Sequence, residues 1–313
     1  MKIVIIEPLG ISEEKVQRLT KDILGEKTEI LYYNTIPKND DETIKRAQGA
    51  AVVMLANMPF KRNILEKCPK LKLLTVAFTG VDHVDMEYCK AKNIRVCNCS
   101  GYANEAVSEL VFGMAIALYR KLIDCDKAVH SGKTRAGLIG SELCGKKFGI
   151  VGVGAIGIKT ARLAQVFGCE VYAYSHTAKE ITGVKFVDLN TLLEKCDIVS
   201  LHVPLTVETK GLINKENIAR MKNNAILINT ARGPVVDSEA LAKALQTNAI
   251  AGAAIDVFEN EPPINAEHVL LQSPHVLLAP HIGFATQEAM EKRALIAFEN
   301  IRKWQDGEPQ NVM

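Results

Sequence analysis

Short apolar runs alternate with amphipathic stretches twice along this chain, and no other feature of the sequence constrains the fold as much. In the N-terminal part the runs are Lys2–Ile6, Thr28–Tyr32, Ala50–Leu55, Lys72–Ala77 and Ile94–Cys97. Runs this short, rich in Val, Ile and Leu and bounded by polar residues, suit strands buried on both faces of a parallel sheet. Between the first two, Ser12–Leu24 sets Val16, Leu19 and Ile23 at helical spacing behind Ser12 as an N-cap. A second series begins at Lys147, with strands expected at Phe148–Gly152, Glu170–Tyr174, Asp197–Leu201, Ala225–Asn229, Ala251–Val257 and Val276–Ala279. Helices are expected at Ala155–Phe167 and Ser238–Leu245. A last one, from about Thr286 to Trp304, puts Met290, Ala294, Ala297, Ile301 and Trp304 on one face. Alternation of this kind predicts an α/β chain of two doubly wound parallel-sheet domains, in keeping with a length of 313 residues. Ala106–Tyr119 reads as a buried helix between the two series. The polar, Gly-containing stretch 124–145 reads as a surface arm or an extended connection.

Composition narrows the function classes. A formal net charge of +2, with Lys and Arg spread along the chain, points away from nucleic acid and anionic membranes. No stretch approaches the ~20 apolar residues of a membrane span, and the early Glu7-Pro8 does not suit a signal peptide. Eight scattered cysteines without a C-x-x-C pair suit free thiols in a reducing cytoplasm, and no metal site is expected, Cys97 and Cys99 included.

Gly152-Val153-Gly154-Ala155-Ile156-Gly157 follows an apolar strand and opens a helix. In that context the glycines have distinct physical tasks. Gly152 permits the tight turn, Gly154 lets backbone approach a pyrophosphate, and Gly157 lets helix and strand pack closely. The helix N-terminus offers N–H groups to the anion. At the end of the next strand an Asp or Glu would bind the adenosine ribose, but Ser175 stands there, 18 residues past Gly157. It is followed by His176, Thr177 and Lys179. A site with hydroxyls, an imidazole and an amine in place of a carboxylate favours NADP over NAD. Alternatively, Ser175 hydrogen-bonds a ribose hydroxyl and both cofactors are accepted.

Three further strands each end in a polar residue, at the edge where open α/β sheets bind ligands. They lead into Thr230-Ala231-Arg232-Gly233, Glu259-Asn260-Glu261-Pro262 and Pro280-His281-Ile282-Gly283. Together they suit carbonyl reduction. A guanidinium clamps a carboxylate with two parallel hydrogen bonds. A histidine gives a proton to the carbonyl oxygen as hydride reaches carbon, and a carboxylate beside it favours the imidazolium and orients the ring.

Those motifs, together with Thr79-Gly80-Val81-Asp82-His83-Val84-Asp85 and Leu201-His202-Val203-Pro204-Leu205-Thr206, occur in an order that resembles the D-isomer-specific 2-hydroxyacid dehydrogenase family over essentially the whole chain. The resemblance implies a Rossmann-like dinucleotide domain, residues 102–285, inserted into a flavodoxin-like substrate domain, residues 1–101 and 286–313. It implies Arg232 as the substrate-carboxylate binder, Glu261 as partner of the histidine, and His281 as acid/base. Substrate contacts would come from Val76, Ala77, Phe78, Thr79, Gly80 and Tyr102 besides Arg232 and His281. For the cofactor it implies Gly152, Gly154, Ala155, Ile156 and Gly157, then Ser175, His176 and Thr177. His202, Val203, Pro204, Thr209, Thr230 and Ala231 complete that set, with Asp256 on the nicotinamide carboxamide. Asn104 and Val107 match a hinge region near the cofactor, whereas His83 holds a position without a catalytic role. Members are usually homodimers that reduce 2-keto acids with NADH or NADPH. Ser175 departs from the usual acidic residue and resembles the NADP-using glyoxylate and hydroxypyruvate reductases. No Lys or Arg lies between Leu73 and Asp82, which disfavours a phosphorylated substrate. D-lactate-type and aliphatic 2-keto acids remain open, as does the different class of dinucleotide-sensing corepressors that keep the same residues.

Overall fold

The computed structural model describes residues 1–177, 180–261 and 263–313. Ala178, Lys179 and Pro262 lie outside the described residues, so the Lys179 expected near the adenosine ribose and the Pro262 of the Glu261 motif are not located. The chain divides into two compact units, Met1–Ala103 with Ala285–Met313, and Asn104–Phe284.

The first unit is built on a five-stranded sheet of β1 (Ile3–Ile5), β2 (Ile30–Tyr32), β3 (Val52–Leu55), β4 (Leu73–Val76) and β5 (Arg95–Cys97). All neighbours are parallel in the order β2-β1-β3-β4-β5, a doubly wound arrangement of flavodoxin type. β1, β3 and β4 are buried along their whole length, as their apolar runs require. Helices α1 (Glu13–Leu19), α2 (Asp40–Ala47), α3 (Arg62–Leu65) and α4 (Met86–Ala91) lie between the strands. Ser12 accepts the Lys15 N–H as the N-cap of α1. The helical pattern of Ser12–Leu24 is not one uniform α-helix, because Thr20–Leu24 continues it as a π-helical turn that ends at Gly25.

The second unit contains α5 (Asn104–Tyr119), α6 (Leu122–His130), and a seven-stranded sheet. Its strands are β6 (Lys147–Val151), β7 (Glu170–Tyr174), β8 (Val184–Phe186), β9 (Ile198–Leu201), β10 (Ile226–Asn229), β11 (Gly252–Ile255) and β12 (Val276–Leu278). All pairs are parallel, in the order β12-β11-β10-β9-β6-β7-β8, which reverses direction between β6 and β9. This is the dinucleotide-binding order with a seventh strand added, and ligands bind outside the carboxyl ends of its strands. Helices α7 (Ala155–Val166), α8 (Leu189–Lys195), α9 (Lys215–Ile218) and α10 (Ser238–Gln246) connect them. β8 is absent from the sequence pattern because an edge strand needs no continuous apolar run, and its residues are only half-buried or exposed. The 124–145 stretch is not wholly irregular. Leu122–His130 is helical but buries no residue, so no apolar stripe marks it.

The chain's last helix, α11 (Gln287–Gln305), belongs to the first unit and starts at a Thr286 N-cap. Its buried face is Ala289, Arg293, Ala294, Ala297, Phe298, Asn300 and Ile301. Met290 and Trp304, expected on that face, are only half-buried. Two polar residues take part instead, because each finds hydrogen-bonding partners inside. Asn300 donates to the Asn98 carbonyl at 2.8 Å, and Arg293 donates to the Leu9 carbonyl at 2.7 Å.

Candidate active site

At the β6–α7 turn, Gly152 adopts φ +97°, a conformation that favours glycine. A Cβ there would stand 2.7 Å from the His202 carbonyl oxygen, which fixes the approach of the β9 loop to the turn. A Cβ on Gly157 would lie 2.1 Å from the Gly152 oxygen, so α7 packs onto the turn only without a side chain. A Cβ on Gly154 would meet nothing within 4 Å, leaving the backbone at the helix head open to a ligand. Ala155 and Ile156 form the first turn of α7, whose N–H groups have no acceptor within a helix. The turn therefore fits a dinucleotide pyrophosphate.

At the end of β7, Ser175 is half-buried while His176 and Thr177 are exposed. Ser175 Oγ accepts the Thr177 N–H at 3.3 Å, and the His176 ring sits edge-on to Tyr174 at 5.5 Å. No carboxylate occupies these three positions; Glu208, in the loop after β9, has its pKa lowered chiefly by a hydrogen bond from Thr206 and lies within electrostatic reach of the His176 ring. His202 pairs with Ser200 Oγ at 2.9 Å, and burial drives its pKa down to about 4, so it is neutral at pH 7. Thr209 is buried and closes its own loop, donating to the Pro204 carbonyl and accepting from Thr206 N at 2.8 Å. Val203 lies against Gly152.

The β10 loop is shaped by Asn229, whose side chain accepts from Ala231 N at 3.0 Å and donates to the Arg232 carbonyl at 2.9 Å. Arg232 itself is half-buried and donates to the Ala231 carbonyl at 2.7 Å. Gly233 is obligatory. A Cβ there would come within 2.1 Å of the Phe258 carbonyl carbon, so the Arg232 turn is seated directly on the backbone that leads to Glu261. Thr230 Oγ1 is buried and has no hydrogen-bond partner among the described residues. A buried hydroxyl of this kind costs free energy until a ligand satisfies it, which agrees with a place in the cofactor site.

Glu261 and His281 are brought together. Glu261 Oε1 stands 2.6 Å from His281 Nδ1, and Glu261 Oε2 accepts the Phe258 N–H at 3.1 Å. The neighbouring Glu259 is committed elsewhere, to Ser238 and, at 2.8 Å, to His268. The geometry thereby separates two acids that residue type and position leave alike, and it pairs with the histidine the one that the family resemblance implies. His281 has φ +55°, an uncommon conformation for a side-chain-bearing residue. It is held by Asp256, whose backbone oxygen accepts His281 N at 2.7 Å. The Asp256 carboxylate takes Ile282 N and Gly283 N, each at 2.8 Å. Burial raises the Asp256 pKa against the pull of those bonds. Asp256 is fully buried, and each of its carboxylate oxygens keeps acceptor capacity beyond the one bond it takes. Val107, near the start of α5 and three residues after Asn104, packs beside Gly283.

In the first unit, Val76, Ala77 and Phe78 are buried at the end of β4, Thr79 is exposed, and Gly80 is half-buried. The Phe78 carbonyl accepts Cys99 N at 2.9 Å, and the Thr79 carbonyl accepts the Asn98 side chain at 2.7 Å. Tyr102 is buried with its ring centroid 6.0 Å from that of Phe78.

The family model for the D-isomer specific 2-hydroxyacid dehydrogenase, NAD binding domain, matches residues 112–283. The chain is 42% identical over 276 residues to a glyoxylate reductase of Thermococcus litoralis, covering 84% of this chain and 83% of the relative. It is 33% identical to a hydroxypyruvate reductase of Blautia hydrogenotrophica, covering 100% of this chain and 99% of the relative. Among solved structures, an acyclic imino acid reductase in complex with NADPH and D-Arg superposes with a TM-score of 0.90 at 28% identity over the full length of both chains. The chain belongs to the D-isomer specific 2-hydroxyacid dehydrogenase family.

For this family member, sequence reasoning found the polar strand ends but missed the devices that hold them. Asn229 and Gly233 shape the Arg232 loop, and the Asp256 carboxylate carries the His281 loop. Gly233 is a legible signal, since a glycine directly after a strand-end arginine suits close backbone approach. The eight cysteines are free, and most are buried, which raises the thiol pKa of Cys97 to about 11. Among the described residues no helix is long and apolar enough to cross a membrane.

Proposed function

We propose that this family member reduces a small 2-keto acid to the D-2-hydroxy acid with a nicotinamide dinucleotide, Arg232, Glu261 and His281 forming its reaction centre. The observation that carries this reading is the Glu261–His281 contact of 2.6 Å on a loop that Asp256 fixes in a left-handed turn. A bound nicotinamide supplies the hydride. With Nδ1 committed to Glu261, His281 exchanges its proton with the carbonyl oxygen at Nε2, and Glu261 balances the imidazolium formed on oxidation. Arg232 holds the substrate carboxylate through its planar fork. Val76, Ala77, Phe78, Thr79, Gly80 and Tyr102 are the first unit's contribution to substrate binding, so that unit, residues 1–101 with 286–313 in the domain sense, is the substrate domain. Residues 102–285 are the dinucleotide domain, with Asn104 and Val107 at the hinge.

Thr230 Oγ1 is the group that a bound cofactor satisfies, beside Ala231. Gly152, Gly154, Ala155, Ile156 and Gly157 take the pyrophosphate, while His202, Val203, Pro204 and Thr209 line the β9 side. Asp256 receives the carboxamide. Ser175, His176 and Thr177 favour NADP, since a 2′-phosphate is accepted more readily by hydroxyls and an imidazole than by a carboxylate. The named relatives, glyoxylate and hydroxypyruvate reductases, support a substrate of two or three carbons. They also leave the corepressor reading without support. A homodimer in the cytoplasm is the assembly we favour. Val129 is 73% exposed on α6 and Ile139 is 84% exposed beyond it, apolar surface that a second copy would cover.

The test is direct. Purified protein is mixed with NADH or NADPH and a panel of glyoxylate, hydroxypyruvate, pyruvate and 2-ketobutyrate, following the cofactor's near-ultraviolet absorbance. Turnover of none of them overturns the enzyme reading, and a large preference for NADH overturns the inference from Ser175.

A further inference from the structure

α11 carries an arginine into the interior of the first unit. Arg293 is 4% exposed, yet it follows no pattern of a surface charge. Its guanidinium donates to the Leu9 carbonyl at 2.7 Å, just beyond β1. It lies 5.5 Å from the Phe78 ring centroid, beyond β4, and 5.9 Å from that of Tyr102, beyond β5. It also hydrogen-bonds the Tyr102 side chain. Gly10, at φ +74°, lies beside it: a Cβ there would crowd the Met290 sulfur at 2.8 Å and only touch an Arg293 nitrogen, at 3.4 Å. The balancing charge is Glu7, which is buried too and fixed by Ala56 N at 2.8 Å and Met58 N at 3.1 Å. One cation thus ties together three loops at the carboxyl edge of the sheet. Two of them carry the aromatic rings that stand among the proposed substrate contacts.

We propose that Arg293 is a specificity-determining positioning residue, fixing the Phe78 and Tyr102 rings and through them the space for whatever group the 2-keto acid carries beyond its carbonyl carbon. This rests on the assignment of Phe78 and Tyr102 to substrate binding. The physical reason is rigidity. A guanidinium held by a carbonyl, within cation–π range of two rings and hydrogen-bonded to one of them, gives those rings one arrangement, whereas an apolar side chain of similar length leaves them free to repack. Glyoxylate has only hydrogen beyond its carbonyl carbon, so it is insensitive to where the rings stand. Pyruvate, hydroxypyruvate and 2-ketobutyrate are sensitive to it.

The experiment compares Arg293→Met with the wild type on glyoxylate, pyruvate, hydroxypyruvate and 2-ketobutyrate, together with cofactor affinity from nicotinamide fluorescence. The expected result is a rise of about tenfold or more in KM for the larger acids. For glyoxylate, KM and kcat stay within about threefold, and cofactor affinity is unchanged. Tyr102→Phe, which keeps the ring but loses the hydrogen bond, shifts the same ratio in the same direction. Combined with Arg293→Met it adds little, as expected for residues acting as one unit. A parallel loss on all four acids, or lowered thermal stability with an unchanged ratio, assigns Arg293 a purely structural role and overturns the proposal. If Arg293→Met does not fold, Tyr102→Phe decides alone, and an unchanged ratio in it is equally fatal. Wild-type protein that turns over none of the acids overturns the functional reading itself, and with it this one.

Discussion

The two units finish their strands in opposite ways. In the second, the loops beyond β10, β11 and β12 carry half-buried charged side chains, Arg232, Glu261 and His281, and close backbone approach together with the Asn229 and Asp256 side chains holds the loops. Gly233 lies on Phe258, Asn229 spans the Arg232 turn, and Asp256 takes three N–H groups of the His281 loop. In the first unit the buried charges include two arginines, Arg46 and Arg293, where the second unit buries the Asp256 carboxylate, and the loops beyond β4 and β5 carry aromatic rings. Arg46 donates to the Ile6 carbonyl at 2.8 Å, and Arg293 to the Leu9 carbonyl at 2.7 Å, so two buried arginines clamp the chain as it leaves β1. The difference matches two kinds of work. Proton transfer needs titratable groups at a fixed distance, and a rigid backbone supplies the distance. Recognition of a small apolar or hydroxylated group needs shaped walls, and a buried cation can stiffen those walls without meeting the substrate.

The comparison breaks most visibly at His281. Replacement by Ala removes the proposed proton donor but not the loop, since Asp256 bonds to backbone. Turnover is therefore expected to fall about 10²- to 10⁴-fold, with cofactor binding nearly intact. A variant with wild-type kcat takes His281 out of the mechanism. A loss of cofactor affinity equal to the loss of turnover would mean that the ring, and not Asp256, holds the loop.

Gly233→Ala tests the backbone side of the same contrast. A Cβ 2.1 Å from the Phe258 carbonyl carbon cannot be absorbed by a rotamer change, because every close neighbour is backbone. The expected cost is about 3 kcal/mol, at the upper end of overpacking penalties, read as a lowered Tm and a lowered denaturant midpoint. The surviving folded protein should also lose turnover, as the Arg232 turn moves away from the Glu261 backbone. An unchanged Tm would show that the two loops are not in firm contact.

How much of this was legible in the sequence follows from the same contrast. The glycine fingerprint and the buried strands could be read because each imposes a local pattern, a period or a required φ. The polar residues at the ends of β10, β11 and β12 could be read because strand ends are where such folds bind ligands. What could not be read is whatever depends on a partner distant in the chain. Glu261 and Glu259 are alike by residue type and position; only the family resemblance singles out Glu261, and the physical separation comes when His281 and His268 arrive from elsewhere. Arg293 was hidden in the same way. An arginine on an amphipathic helix reads as surface until Leu9, Phe78 and Tyr102 fold around it. α6 was missed for the opposite reason, since a helix that buries nothing leaves no periodicity to detect.

The smallest expected effect concerns acid, and the units should differ in its sign. His202 in the second unit has its pKa lowered by burial from 6.5 to about 4, so the unfolded chain binds its proton first as pH falls. Its contribution to stability is complete above pH 6.5 and is lost progressively from there toward pH 4. Between pH 7 and 5.5 the loss is about 1 kcal/mol, and less to the extent that the ring keeps some water contact. Glu7 in the first unit is raised by burial, so its folded form takes up a proton before the unfolded chain does. The ionised folded form is the penalised one. Stability therefore increases as pH falls from the raised pKa to 4.5. Asp256, raised for the same reason, works in that direction within the second unit, between its raised pKa and 3.8. Hydrogen exchange resolved by unit, at pH 7 and 5.5 with rates corrected for intrinsic pH dependence, should therefore find protection falling in β6 and β9 while β1 and β3 hold theirs. In a His202→Asn variant the loss in β6 and β9 should disappear. If wild type and variant lose protection equally, the titrating group lies elsewhere in the second unit, and the contrast in acid response does not come from His202.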